Sequence, residues 1–203
     1  MSDQHLSLTP SVSDQVSVGD AVERVTLWKF ASFSRDWFGD ALKESGEANN
    51  IDARRREIVF AVCVAENYLF EWVRDDILHR EFRLVDGYFP AEGKKIGVTD
   101  RWKQVVEHLY NDGAINGKPD WGQKFWSDFK DLVEWRNGLV HGRASRPDTD
   151  GLSSSESPSP SIDQLQSLDP GWAIKVVICL IRELHKSVGT PSPSWLTLPS
   201  QLA

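Results

Sequence analysis

The stretch Asp131-Leu-Val-Glu-Trp-Arg-Asn-Gly-Leu-Val-His-Gly-Arg143 decides how the rest of the chain is interpreted. Apolar side chains recur at helical spacing before it and within it: Trp126, Phe129, Val133 and Trp135. A period of three to four residues is typical of an amphipathic helix, because one stripe then faces the core. We therefore predict a helix that begins near Trp121 and carries the polar end of this stretch.

Three polar residues stand together at that end, namely Arg136, Asn137 and His141. On an ideal helix positions 136 and 141 lie about 140° apart, whereas positions 137 and 141 share a face. Gly138 and Gly142 each cost a helix about 1 kcal/mol relative to alanine, and Gly142 suits a left-handed cap. We therefore expect the helix to loosen around His141, so that its imidazole turns toward the guanidinium. An arginine fork and an imidazole that titrates near neutral pH together favour phosphate chemistry.

The Arg136-Asn137-x-x-x-His141 run resembles the signature of HEPN domains, a family named for higher eukaryotes and prokaryotes nucleotide-binding. The family pattern is an arginine, commonly followed by a polar residue, and a histidine after four to six intervening positions; here four residues intervene. The resemblance covers Asp20 to Gly189 apart from one insertion. It implies a bundle of four or five helices, often dimeric. Many members are metal-independent ribonucleases whose composite site combines two such motifs.

Apolar spacing elsewhere also favours helices, and no stretch alternates as a strand does. We predict an all-α, antiparallel bundle of four or five helices. Besides the motif helix, they are expected at about Asp20–Lys43, Asp52–Phe82, with Asp52 as N-cap, and Asp100–Tyr110, and from near Asp169-Pro170. His108 and His185 are expected at the surface.

Composition divides the chain into one helical domain with two tails. Residues 1–18 form a polar N-terminal tail, residues 19–189 the HEPN-like domain, and residues 190–203 a proline-rich tail that is either an irregular strap or disordered. Within the domain, residues 147–168 are rich in serine and proline and cannot bury enough apolar surface to offset their ordering entropy. We predict a flexible insertion there.

The location predicted from the sequence is the cytoplasm. No apolar run approaches the about 18 residues of a membrane span, and the polar start lacks the design of a secretory signal. Cys63 and Cys179 fall in apolar helical stretches, where reduced core thiols are expected. No metal-ligand spacing, glycine-rich phosphate loop or cofactor motif is present, so no metal and no cofactor are predicted.

Net charge bears on the partners, since the 203 residues carry a formal charge of −7. Proteins that bind nucleic acid normally do so through a basic face, because its cations neutralise the phosphates. We assign substrate contacts to Arg143 and Arg146, which follow His141 directly. The clusters Arg54-Arg55-Arg56 and Lys94-Lys95 are interpreted as a solvated helix start and a loop.

Glu66 is the one acidic residue in the apolar run from Ile58 to Phe70. It is either a carboxylate at the edge of the apolar stripe or a residue that orients Arg136 or His141 from another helix.

Three functional interpretations follow from these residues. The first, implied by the resemblance, is an endoribonuclease with Arg136, Asn137 and His141 as catalytic residues of a homodimeric site. The family tendency adds a toxin or phage-defence role with a neutralising protein partner. The second is a non-catalytic module that binds a nucleotide, RNA or a protein. In the third, Arg136 pairs with a carboxylate on another helix and His141 only caps the helix end.

Overall fold

The computed structural model describes residues 32–47, 50–79, 85, 87–89, 96–141 and 160–198. These ranges contain six α-helices and no strand, which confirms the all-α class. The helices are α1 (Phe33–Ser45), α2 (Ile51–Trp72), α3 (Val98–Asn111), α4 (Lys124–His141), α5 (Ile162–Ser167) and α6 (Trp172–Val188). The predicted N-terminal tail, the predicted helix start at Asp20 and most of the predicted insertion lie outside the described residues.

Helix α2 is the centre of the fold, because it contacts α1, α4, α5 and α6. Its inner face is fully buried, with Ile58, Val62, Ala65 and Leu69 at most 1% exposed. Its N-cap is Asn50, whose Oδ1 accepts hydrogen bonds from the backbone N–H groups of Asp52 and Ala53 at 3.0 and 3.2 Å. The prediction of Asp52 as the N-cap is therefore wrong. Asp52 lies in the first turn, where its negative charge interacts favourably with the positive end of the helix dipole.

The far end of α2 changes character before the predicted end at Phe82. After Trp72 the chain continues as a π-helical turn, Val73–Ile77. Such turns insert an extra residue into the helical ladder and occur often at functional sites. Residues 80–82 lie outside the described ranges.

Helix α6 closes the core against α2 and α4. Its face of Val177, Leu180, Ile181 and Leu184 is 0% exposed. It begins two residues after the predicted Pro170, because Gly171 stands at the N-cap with φ 72°, a left-handed conformation. A glycine reaches that conformation without a Cβ penalty, and it sets the direction in which α6 leaves the preceding turn.

Helix α5 lies inside the segment that the sequence analysis assigned to the flexible insertion. Ser161 and Gln164 form a reciprocal capping box that starts the helix, and Leu165 is completely buried. A cap of this kind and one apolar anchor stabilise a short helix that composition alone does not indicate. The ordered domain therefore resumes by Ser161 rather than after residue 168.

We expect Leu165→Ala to lower the free energy of unfolding by about 2–5 kcal/mol, since it removes a buried side chain and leaves a cavity. The matched control is Ile162→Ala in the same short helix, where the side chain is 52% exposed and little stability should be lost. Urea denaturation followed by circular dichroism measures both. Equal, small losses in the two variants would show that α5 is not anchored to the core.

The C-terminal segment packs against the bundle over residues 190–198, as the strap interpretation of the tail expects. Leu196 is 1% exposed, and the Trp195 ring contacts Phe38 and Tyr68 at centroid distances of 5.2 and 6.0 Å. Arg182 donates a hydrogen bond to the Leu196 carbonyl at 3.0 Å. This segment therefore covers α1, α2 and α6. Within the described ranges no helix combines the length and apolar character that a bilayer crossing requires.

Candidate functional site

Helix α4 carries the motif at its C-terminal end. Buried aromatic and aliphatic residues, Phe125, Trp126, Phe129, Leu132 and Val133, anchor its earlier turns. Trp135 is half-buried against Trp172 of α6, with ring centroids 5.9 Å apart. Packing of this kind holds the backbone of the last two turns in a fixed position, and the helix begins at Lys124 rather than at the predicted Trp121.

The helix runs without interruption through Gly138 to His141. No loosening of the backbone occurs up to that residue, because tertiary packing outweighs the cost of about 1 kcal/mol that one glycine adds. Positions 137 and 141 therefore lie one above the other, and position 136 lies about 140° from position 141. The His141 side chain, Gly142, Arg143 and Arg146 lie outside the described part.

The guanidinium of Arg136 lies between two polar side chains. Its Nη1 donates to Asn137 Oδ1 at 3.1 Å, and its Nη2 lies 3.9 Å from Glu66 Oε2 on α2. The Arg136 and Glu66 side chains are 23% and 27% exposed, so the pair is neither in bulk water nor in the dry core. The structure thus brings Arg136, Asn137 and Glu66 together. This contact fits Glu66 as a residue that orients Arg136, and equally Arg136 as one half of an inter-helix ion pair.

The guanidinium is incompletely satisfied in this arrangement. The distance of 3.9 Å to Glu66 exceeds a hydrogen bond. The Arg136 Nε is buried and has no hydrogen-bond partner among the residues that the structure describes. An unmade hydrogen bond at a buried donor costs about 1–3 kcal/mol, and a structural ion pair normally avoids it. The guanidinium therefore keeps a donor without a partner, and because that donor is buried, an anion would reach it only after the side chain rotates.

Cys63 lies one turn before Glu66 and is half-buried. Burial raises the pKa of its thiol, the Glu66 carboxylate raises it further, and Arg136 opposes both effects. The thiol therefore stays protonated near neutral pH and is a poor nucleophile. Cys179 is exposed, so its assignment to the core is wrong.

Two histidines outside the motif have different surroundings. His108 is exposed, as expected, with Nε2 3.4 Å from Asp112. His185 is only 4% exposed, so its prediction as a surface residue is wrong. Its Nε2 bonds the Tyr68 hydroxyl, and its Nδ1 lies 2.7 Å from Thr190 Oγ1. Burial lowers its pKa, which keeps the ring neutral. The position of His185 one turn after Ile181, on the apolar face of α6, was the sequence signal for its burial. The C-terminal tail that covers it is brought there by tertiary packing, which the local sequence does not indicate.

Glu57 on α2 is a buried carboxyl that the sequence analysis did not single out. It is 4% exposed, and its Oε1 accepts a hydrogen bond from the backbone N–H of Ile174 at 3.3 Å. It thus serves the otherwise unpaired N–H groups at the start of α6, where Gly171 has no side chain to do so. Burial raises the pKa of Glu57 to about 7, and hydrogen bonds from that helix start oppose the rise only in part.

The raised pKa makes stability depend on pH. The folded chain holds a proton on Glu57 up to about pH 7, whereas the ordinary value is 4.5. Stability should therefore be full below about pH 4.5, fall as pH rises toward 7, and stay level above it. Glu57→Gln keeps the oxygen acceptor but cannot ionise. The free energy of unfolding of this variant should therefore not decrease between about pH 4.5 and pH 7 in the way that of the wild type does.

Denaturation of wild type, Glu57→Gln and Glu134→Gln between about pH 5 and pH 8 measures the effect. Glu134 is exposed on α4, and its replacement should leave the wild-type slope. The same slope in Glu57→Gln as in wild type would contradict a raised pKa at Glu57.

Comparisons with protein-family models, with curated proteins and with solved structures return no match for this chain. Within the described ranges, no group of three or more His, Cys, Asp or Glu side chains is placed to hold a metal ion. The candidate site is therefore defined by its own geometry, around Arg136, Asn137 and the backbone end of α4.

Proposed function

We propose that the chain is a metal-independent endoribonuclease of HEPN type, with its site at the end of α4. The observation that carries this proposal is the state of Arg136: it is held in place by Asn137 and Glu66 and yet has an unsatisfied donor. A small rotation of the guanidinium toward a phosphate costs one bond to Asn137 and one long ion pair. It gains charge-assisted hydrogen bonds, which are about twice as strong as neutral ones.

The reaction is a transesterification within the RNA. The 2′-hydroxyl attacks the adjacent phosphorus, a new 2′-oxygen–phosphorus bond forms, and the bond to the 5′-oxygen breaks. His141 takes the proton from the 2′-hydroxyl or returns one to the leaving 5′-oxygen. Arg136 stabilises the charge that develops on the phosphorane. The products are a 2′,3′-cyclic phosphate and a 5′-hydroxyl.

Asn137 and Glu66 act as positioning residues. Asn137 accepts from Nη1 and so limits rotation of the guanidinium plane, while Glu66 draws Nη2 toward α2. An arginine held from two sides loses less freedom when it binds the transition state, which favours the reaction. Arg143 and Arg146 are proposed to contact the RNA strand beyond the scissile phosphate.

A second copy of the chain is proposed to complete the site. Because α4 is helical from Arg136 to His141, these two positions point in directions about 140° apart. Two motifs that face one another across a homodimer bring an arginine and a histidine to the same phosphate without loosening either helix. A toxin or phage-defence role with a neutralising partner follows from the family tendency.

A non-catalytic binding module is the second candidate, and the Arg136–Glu66 pair favours it. A carboxylate beside the arginine lowers the local positive charge, in a chain whose net charge is already −7. The same residues would then bind a nucleotide or a protein segment without acting on it.

The test is a DNA oligonucleotide that contains a single ribonucleotide, incubated with the protein in EDTA. The proposal expects one cut, directly after the ribonucleotide, with a cyclic phosphate on one product and a 5′-hydroxyl on the other. An all-DNA oligonucleotide is the control and should stay intact. Products with 3′-hydroxyl and 5′-phosphate ends, or cleavage of both oligonucleotides, would contradict the mechanism.

A further inference from the structure

A cavity of about 360 Å³ lies between α2 and α4, close to the candidate site. Its described lining residues are Arg55, Arg56, Val59, Phe60, Leu139 and Pro160. Leu139 is three residues after Arg136 on α4, a rise of roughly 4.5 Å, and Phe60 is six residues before Glu66 on α2, roughly 9 Å. A strand bound at Arg136 therefore has this cavity next to it.

The cavity has an apolar floor and a cationic rim. Val59, Phe60, Leu139 and Pro160 contribute hydrocarbon and one aromatic ring. The Phe60 ring is braced by Trp37 of α1, with centroids 5.3 Å apart, so it forms a fixed platform. Floor and rim together match a ligand with a flat apolar body and a negative group beside it.

The two arginines keep unused donors on the rim. Arg55 bonds Asp52 through Nη1 at 3.0 Å, and Arg56 bonds Glu44 through Nη2 at 2.8 Å. The arginine side chains are 44% and 47% exposed. The Arg55–Asp52 pair is a surface ion pair of small energetic weight, whereas Glu44 is only 13% exposed and holds Arg56 more firmly. Each guanidinium has five N–H donors and needs only part of them for its carboxylate. An incoming phosphate can therefore bind at this rim without breaking either pair.

We propose that this cavity is a nucleotide subsite for the RNA strand, in which the base stacks on Phe60 and the phosphate binds at Arg55 and Arg56. Its size is that of pockets which hold one small ligand, about 300–1,000 Å³. The proposal rests on the proposed function, because it extends the same RNA-binding surface along α2. It assigns two cations of the Arg54-Arg55-Arg56 cluster to substrate rather than to solvent alone.

The chemistry of the lining also sets the specificity of the subsite. Among the lining side chains that the structure describes, only the two arginines form hydrogen bonds, and they lie at the rim. Reading a base requires hydrogen bonds to its edge, whereas stacking tolerates every base. The subsite therefore accepts all four bases, and purines bind somewhat more tightly because their stacking area is larger.

The experiment titrates the full chain with adenosine 5′-monophosphate and uridine 5′-monophosphate by calorimetry, and with adenosine alone as the phosphate-free arm. Both nucleotides should bind, AMP more tightly than UMP, and adenosine should bind about tenfold or more weakly than AMP. The double variant Arg55→Gln/Arg56→Gln should weaken AMP binding by about tenfold or more. Phe60→Leu should weaken it about tenfold. Lys103→Gln, an exposed cation on α3, is the matched control and should bind as wild type does.

The outcomes separate this inference from the proposed nuclease. AMP binding that follows Arg55, Arg56 and Phe60 supports the subsite even if no RNA is cleaved. Cleavage of RNA by a chain whose AMP binding is absent, or unchanged in the double variant and in Phe60→Leu, would overturn the subsite and leave the nuclease standing.

Discussion

We expect His141→Ala to lower RNA cleavage by at least about 100-fold, because general acid–base catalysis is typically worth 10² to 10⁴. His141 is the last residue of α4, so its replacement should leave helical content and melting temperature nearly unchanged. Initial rates of cleavage on mixed RNA, with circular dichroism of the same samples, measure both quantities.

His108→Ala is the matched control for the loss of an imidazole. His108 is exposed on α3, where its Nε2 lies 3.4 Å from Asp112 and its ring centroid lies 4.8 Å from that of Tyr88, so wild-type cleavage is expected. If two copies share one site, His141→Ala mixed with wild type should also lower activity beyond simple dilution. Wild-type rates in His141→Ala would remove this residue from the mechanism.

Arg136→Lys is the second change with a large expected effect. Lysine keeps the positive charge but loses the planar fork that binds two phosphate oxygens at once. It also loses the arrangement in which one nitrogen bonds Asn137 while another lies near Glu66. The value of kcat should fall by about 10²–10³, as it does when one donor to a developing oxyanion is removed.

The control for this substitution is Arg35→Lys, an exposed arginine on α1. It should cleave RNA at the wild-type rate. A KM increase with unchanged kcat in Arg136→Lys would contradict a role in the transition state, because it would assign Arg136 to ground-state binding alone.

The helical core was predictable where apolar spacing is dense. Trp126, Phe129 and Val133 predicted α4 correctly, since spacings of three and four residues over about two turns fit a helical period and not the alternation of a strand. Boundaries were less predictable: Asn50 and Asp52 are both good N-cap residues, and the direction of the chain before α2 decides between them. The Ser161–Gln164 capping box has a recognisable sequence pattern, but the serine and proline content around it favoured the prediction of a flexible segment.

The residues of the candidate site were chosen from the sequence, but the contacts among them could not be predicted from it. Arg136 and Asn137 stood out because their chemistry suits phosphate. The approach of Glu66 to Arg136 depends on how α2 is aligned along α4. The two residues are 70 positions apart in the sequence, so no local sequence pattern predicts their contact. The burial of His185 likewise depends on the C-terminal segment folding back over α6.

The measurement that tests the central claim most directly is RNA cleavage by wild type, His141→Ala and Arg136→Lys, side by side in EDTA, with the cyclic-phosphate ends counted. We predict that wild type produces 2′,3′-cyclic phosphate and 5′-hydroxyl ends in EDTA and that both variants lose this product while they remain folded. Equal amounts of cyclic phosphate from all three proteins would contradict an active site at Arg136 and His141. No cleavage by any of them would favour the binding module instead.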